Sequence, residues 1–466
     1  MTRRIQVAAA LAAAILAGCG VNHSEGPPPP DSAQAAAFLD TVEARTFKYF
    51  WDLTNTSNGL TPDRAPSPSF SSIAAVGFAL TAYPIGAERG YVTRTAARDR
   101  VLTTLRFFWT ATQDSSASTA TGYHGFFYHF LDMNTGKRYQ TVELSTIDTA
   151  LLLAGVLFCQ SYFDNATDSG EATIRRLADS IYRRTDWQWA APRPPLVALG
   201  WHPETRFLPY DWRGYNEAMI LYILALGSPT HPVDTAAWSG WTAAYQWGTF
   251  YGQTHLGFAP LFGHHYSHVW IDFHGTQDSY MRAHGIDYFE NSRRATYGQR
   301  AYAAANPGGW TGYSDRVWGL TASDGPGDLT LTLGGRSRQF HGYWARGASF
   351  TETPDDGTLA PTAAGGSIPF APEIAIPALW AMRQAYGASL FSTYGFRDAF
   401  NPTFTQSSAA GWFDIDYLGI DEGPIIAMIE NYRTGLVWRV MRTNPYIVRG
   451  LCRAGFTGGW IAGKCP

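Results

Sequence analysis

From Ala36 onward the chain alternates between two helical patterns, and this constrains the fold more than any other feature. One pattern spaces apolar residues three and four apart against a polar face: Phe38, Leu39, Val42, Phe47, Phe50 and Trp51, then Thr95 to Trp109, then Ala172 to Trp187 with Arg175, Arg176, Arg183 and Arg184 toward water. The other is apolar on nearly every side: Ile73 to Tyr83, Ile147 to Cys159, Ala218 to Leu226, Ile374 to Met382 and Ile425 to Ile429. Helices of the second kind must be covered all round. A double ring satisfies both, with buried helices inside and amphipathic ones outside, so the pattern predicts an all-α fold, an (α/α)6 toroid in one domain over 36–466. One segment departs from it. Asp328 to Leu333 alternates with the two-residue period of a strand, Gly334-Gly335 follows, and glycine, proline and threonine dominate to Ser367, which predicts a small β-hairpin and loop insertion before a helix at Pro372.

The N-terminus reads as a targeting segment. Arg3 and Arg4 precede the alanine- and leucine-rich stretch Val7 to Ala17, too short to span a bilayer, and Leu16-Ala17-Gly18-Cys19 resembles the bacterial lipoprotein box. The expected division is a lipoprotein signal peptide over 1–18, lipidation of Cys19, and a tether over 19–35 whose Pro27 to Pro30 keep it extended. Gly20 replaces the aspartate usually read as inner-membrane retention, so the expectation is an exported lipoprotein of the periplasm or outer membrane. No C-x-x-C pair occurs. Cys159 reads as a core thiol, while Cys452 and Cys465 are close enough in sequence for a disulfide in an exported chain, a pairing the sequence leaves open.

Charged residues are only 16% of the chain and the net charge is −3, which argues against a nucleic-acid partner or a coiled coil. Aromatic residues reach 15%. Acidic residues recur where the apolar helices start: Asp148 after Ser145, Glu217 after Asn216, Glu373 after Pro372, and Asp421-Glu422 before Pro424. In a ring of up-down hairpins these starts meet at one mouth, with Glu143 in the loop just outside. Each residue taken alone also fits helix capping or the helix dipole. Converging carboxylates are what glycoside hydrolysis requires, one protonated to donate to the leaving oxygen and one ionised to activate water. Repulsion between them raises the pKa of one member. Trp201, His202, Tyr210, Trp212 and Tyr215 precede Glu217 and could stack on sugar rings. His264 and His265 read as cleft-lining or structural, and Asp278 as a helix cap or a substrate contact. With no H-E-x-x-H, and with adjacent histidines unable to share a helix face, no metal and no cofactor is expected. G-x-G-x-x-G, Walker and G-x-S-x-G motifs are absent.

Gly59-Leu-Thr-Pro-Asp63-Arg64, Ser72 to Leu80, Glu143 with Ser145 to Gly155, Gly214-Tyr-Asn-Glu217-Ala and Leu418-Gly-Ile-Asp421-Glu-Gly-Pro424 together resemble the bacterial glucoamylase-like family. Its characterised members include β-1,2-glucanases of glycoside hydrolase family 144. The resemblance implies an (α/α)6 barrel and an inverting, metal-free glycosidase that cuts β-1,2-glucan to sophorose-type oligosaccharides, endo or exo. It implies Glu217 as general acid and Asp421 as general base, with Asp416 the alternative base. Asp148 and Glu143 would bind substrate or position water. A monomer acting on an oligo- or polysaccharide is expected. Three readings compete: a surface glycan-binding lipoprotein, a hydrolase of another glycan, and a polysaccharide lyase, although a lyase does not call for acidic helix starts.

Overall fold

The computed structural model describes residues 28–465. The expected signal peptide, Cys19 and most of the tether lie outside the described residues. Asp31 caps α1 (Ser32–Leu53) in a capping box with Gln34, so the helix begins inside the segment expected as tether. Its apolar stripe, Phe38 to Phe50, faces inward. Ser72 caps α2 (Ile73–Glu88), which is buried from Ile73 to Gly86 and backed by the half-wet α3 (Arg94–Thr110). The pattern repeats with α4 (Thr146–Tyr162), capped by Ser145 and buried over most of its length, and the amphipathic α5 (Ser169–Arg183). Every residue of α6 (Met219–Gly227) is buried.

Beyond the short α7 (Ala236–Thr242), helix α8 (Phe262–Trp270) is again enclosed, followed by α9 (Ser279–His284) and the outer α10 (Tyr288–Ala305). Next come α11 (Pro361–Gly365), fully buried, and α12 (Pro372–Tyr386). The chain ends with α13 (Gly419–Arg433), buried from Asp421 to Asn431, then α14 (Leu436–Met441) and the amphipathic α15 (Pro445–Arg453), which packs on α6. The inner ring is therefore α2, α4, α6, α8, α11 and α13. Helix α2 packs on α4 and α13, α4 on α6, α6 on α8, and α11 on α13. His265 of α8 and Ser367, just past α11, are 2.9 Å apart and close the circle. The (α/α)6 toroid read from the sequence is the fold.

Two ring members differ from the expectation. The apolar run Ile374 to Met382 predicts an inner helix, but α12 lies in the outer layer, burying Ala375, Ile376, Leu379 and Met382 while Glu373 faces outward. The inner place belongs to α11, only five residues long. Helix α8 occupies another inner position despite three histidines and a serine, because each finds a partner inside the protein.

Short antiparallel strands collar the mouth where the inner helices begin. Ser71–Ser72, just before α2, pairs with Phe130–Leu131, and Leu144–Ser145, before α4, lies between Phe126–Tyr128 and Gly200–His202. Tyr417–Leu418, before α13, pairs with Arg64–Ala65. The expected hairpin forms from Leu329–Leu333 and Arg336–Phe340, with Gly334 and Gly335 both at positive φ, as a tight primed turn requires. Cys452 and Cys465 form a disulfide, and Cys159 is a buried free thiol. Among the described residues no helix is long and apolar enough to cross a membrane.

Helices α2 and α4 approach backbone to backbone. A Cβ on Gly155 would lie 2.2 Å from the Gly77 carbonyl oxygen, and one on Gly77 would lie 2.4 Å from that of Leu151. Gly155→Ala must push the two inner helices apart, and a denaturant titration should show a loss of about 1–3 kcal/mol, the usual cost of overpacking. An unchanged midpoint would mean that this crossing is not tight.

Candidate active site

Asp148, in the first turn of α4, accepts the Ser145 hydroxyl at 2.5 Å. His129 extends the strand Phe126–Tyr128, and its amide donates to the Glu143 carbonyl at 3.0 Å. That pairing turns its imidazole between two carboxylates: Nδ1 is 2.8 Å from Glu143 Oε1, and Nε2 is 3.5 Å from Asp148 Oδ2. Burial disfavours the charged ring, but Asp148 and then Glu143 outweigh it and raise its pKa to about 9. The imidazole is therefore cationic at neutral pH. Burial likewise opposes charge on Glu143, yet the His129 hydrogen bond holds its pKa below the ordinary value.

Glu217 sits just ahead of α6, where Ser267 of α8 donates its hydroxyl to the Glu217 carbonyl at 3.3 Å. Its carboxyl opens into a cavity of about 180 Å³ shared with Asp148, His129, Tyr266 and Tyr343. Burial first, and then the Asp148 charge, push it up to about 7, against a backbone hydrogen bond that lowers it. A carboxylic acid that keeps its proton near neutrality thus faces the same small space as the Asp148 side chain.

Asp421, in the first turn of α13, lies directly behind Ile420, which lines that cavity. Its Oδ2 is buried and lacks a hydrogen-bond partner. Burial, with Asp324 and Asp63 nearby, raises it to about 7, while a hydrogen bond from Asp398 and the charge of Arg64 work the other way. Asp398 is wholly enclosed beside Asp421, Asp324 and Asp414 and is pushed well above the carboxylate range, so it holds a proton that it can donate to Asp421. Among the described residues, Asp324, Asp398 and Asp414 bring carboxylate oxygens within 4.8 Å of one another, the spacing a metal ion would need. Positive charge already reaches this cluster from Arg64, whose Nη1 is 2.5 Å from Asp324 Oδ2.

The other expected contacts divide. Trp212 donates its indole N–H to Thr146 at 2.9 Å and packs beside the start of α4. His202 lies 3.3 Å from Arg138, which is paired with Glu204, and Tyr210 is 68% exposed. Trp201, expected to meet sugar, is instead buried against Tyr123 and Trp189. Tyr215 is interior too, stacked on Tyr288. His264 and His265, expected to line the cleft or to be structural, are enclosed in α8, against the Phe258 carbonyl and Ser367, and burial holds both in the neutral form. Asp278 caps α9 and accepts from Trp238 and Tyr288 inside the fold. Glu373 pairs with Arg293 and Tyr297 on the outer layer, so it does not join the mouth. Asp416 accepts the Ser67 amide at 2.8 Å and, like Asp421, does not itself line either cavity.

His129 and Tyr343 are cleft residues that helix-start reasoning missed, because neither begins a helix. Asp63 and Arg64 line an adjoining cavity of about 260 Å³, and only the Gly59 to Arg64 motif pointed to them.

A ring of six buried helices, of which α4, α6 and α13 bring carboxylates to a collared cleft at their N-termini, defines an (α/α)6 toroid with an acid-lined candidate active site. The chain belongs to the Glycoamylase family, described as "Putative glucoamylase", which matches residues 209–445, just over half of its length. It is 30% identical over 450 residues to an exo β-1,2-glucooligosaccharide sophorohydrolase (non-reducing end) of Parabacteroides distasonis, covering 89% of this chain and 57% of that protein. The chain thus spans little more than half the length of this curated relative. An endo-β-1,2-glucanase of Chitinophaga pinensis, solved with sophorotriose and glucose, is 28% identical with a TM-score of 0.79 over 91% of this chain and 99% of its own. At 12% identity, an endo-β-1,2-glucanase of Talaromyces funiculosus shares the fold, with a TM-score of 0.65 over 93% of each chain.

Proposed function

We propose that this protein is a glycoside hydrolase that cleaves β-1,2-glucan with inversion, and that it works as an exported protein tethered through lipid on Cys19. The observation that carries the reading is Glu217, a carboxylic acid poised at about 7 in the cavity it shares with Asp148 and the cationic His129. In this reading the Glu217 O–H donates its proton to the glycosidic oxygen as the bond to the anomeric carbon breaks. A water molecule attacks the opposite face and gives its proton to Asp421, which Asp398 steadies by donating a hydrogen bond. The Glu143–His129–Asp148 series holds sugar hydroxyls without accepting a proton at neutral pH, because its imidazole is already protonated. The relatives' acting on β-1,2-linked glucans supports the choice of linkage.

The test incubates the purified chain, without residues 1–27, with β-1,2-, β-1,3-, β-1,4- and α-1,4-glucans and reads new reducing ends and the first anomer released. Cleavage confined to the β-1,2 polymer, with an inverted first product, is expected. Retention at the anomeric carbon would remove the inverting mechanism and the base role of Asp421, and silence on every glucan would remove the function. Product lengths separate endo from exo action.

A further inference from the structure

We propose that Tyr343, presented by the loop that follows the inserted hairpin, is a sugar-contacting residue that divides the cleft in two and fixes where along the glucan chain the cut falls. This deepens the proposed hydrolase function and rests on it. The cleft has two chambers. One holds Glu217 and Asp148; the other is lined by Asp63, Arg64, Phe70 and Phe130. The side chains common to both are His129, Ile420 and Tyr343. His129 is held by its two carboxylates and Ile420 belongs to α13, so the wall between the chambers is completed by a residue from outside the helical ring.

The tyrosine is unusual in being fixed at its backbone and free at its tip. Arg346 is wholly buried and grips the loop from within, donating to the carbonyls of His341, Gly342 and Trp344 while pairing with Asp356 at 2.7 Å. The same guanidinium donates to the Ser323 and Asp324 carbonyls. Trp344 and Ala345 are paired in register with Ser323 and Ala322. Against this rigid support the Tyr343 side chain is 56% exposed, and its hydroxyl makes no hydrogen bond among the described residues. Its partial enclosure, and then the charges of Asp421, Asp398, Asp63 and Asp324, raise the phenol's pKa, so it meets a ligand as an O–H donor. A fixed aromatic face with an unused donor, set between two largely apolar chambers that each carry an acidic side chain, suits a pyranose ring that stacks on one side and accepts a hydrogen bond at its edge. The insertion thus supplies a partition that the six helix pairs alone do not have.

The experiment compares wild type, Tyr343→Phe and Tyr343→Ala on β-1,2-glucan, recording kcat, KM and the distribution of product lengths, with melting curves as the folding control. Removing the ring in Tyr343→Ala should raise KM about tenfold, the size of one lost stacking contact, and broaden the product lengths. Tyr343→Phe keeps the partition, so it should keep the wild-type product pattern and lose only about threefold to tenfold in kcat/KM, the hydroxyl's share. Tyr343→Ala with wild-type KM and product lengths overturns the partition while leaving the proposed hydrolase intact. A wild-type chain that cuts no glucan overturns the function itself. If Tyr343→Ala fails to melt cooperatively, the Phe variant and titration of a β-1,2-glucooligosaccharide into Glu217→Gln, with and without Tyr343→Phe, decide the matter. Equal affinities there, with Tyr343→Phe matching wild type in turnover, count against the contact.

Discussion

Glu217→Gln is expected to cut kcat on unactivated β-1,2-glucan by about 10²–10⁴-fold while leaving KM nearly unchanged, because the amide fills the same space but has no proton to give. The pH profile supplies a second, independent reading. Burial and Asp148 raise Glu217 to about 7, so wild-type activity should fall as pH rises through that region and the acid loses its proton. Any residual activity of the variant should lack this limb. Wild-type stability should follow the same titration. Since the folded-state pKa lies above the unfolded value near 4.5, the stabilisation from the neutral carboxyl is fully present below pH 4.5 and is lost as pH rises through about 7. At pH 8 the wild type therefore carries a poorly solvated carboxylate that the variant lacks. With allowance for the opening to solvent, the variant should be the more stable by about 1–2 kcal/mol at pH 8, and the difference should vanish at pH 4. Thermal melts at the two pH values measure this directly. A variant that is fully active, or no more stable at pH 8 than at pH 4, would show that Glu217 is neither the acid nor strained by its site.

The toroid was legible because the inner helices announce themselves by lacking a polar face, as in α2, α4 and α6. The same criterion failed at α8, whose His264, His265, Ser267 and His268 look polar in sequence, yet Ser267 and His268 bond to neighbouring inner elements and to Ser292 of α10. It failed again at α11, because five residues carry no measurable period. Helix α12 was misplaced since Pro372-Glu373 resembles the other acidic starts. Only packing shows that its Glu373 meets Arg293 outside the ring. The site divides along similar lines. Carboxylates at helix starts can be read because the first turn of an inner helix has one place to be, the mouth. His129 and Tyr343 cannot be read this way, since their positions depend on strand pairing and on a buried arginine far along the chain. Two members of the aromatic run before Glu217, Trp201 and Tyr215, are spent on packing, and composition alone does not distinguish that use from a sugar platform.

Two neighbouring aspartates should behave very differently when each is replaced by asparagine. Asp421 lies in the first turn of α13 with one carboxylate oxygen unpartnered, and its charge is felt by both Tyr266 and Tyr343 across the cleft. Asp416 spends its carboxylate on the Ser67 amide, and its carbonyl accepts the Asp398 amide at 3.0 Å, so its work is to hold the strand that leads into α13. An asparagine can still accept the Ser67 hydrogen bond. Asp416→Asn should therefore keep kcat within about tenfold, whereas Asp421→Asn should lose about 10²–10⁴-fold, the range for removing a proton acceptor from an attacking water. The buried surroundings give the comparison a further signature. Asp421 has to be ionised to accept a proton, and its raised pKa of about 7 places the acidic limb of the profile close to the limb set by Glu217. Activity in the wild type should thus be confined to a narrow range near neutrality. Asp398→Ala removes the hydrogen bond that lowers Asp421, so its acidic limb should move to higher pH and narrow that range further. If Asp416→Asn proves the damaging change and Asp421→Asn retains turnover, the base belongs to the strand before α13 rather than to the helix start.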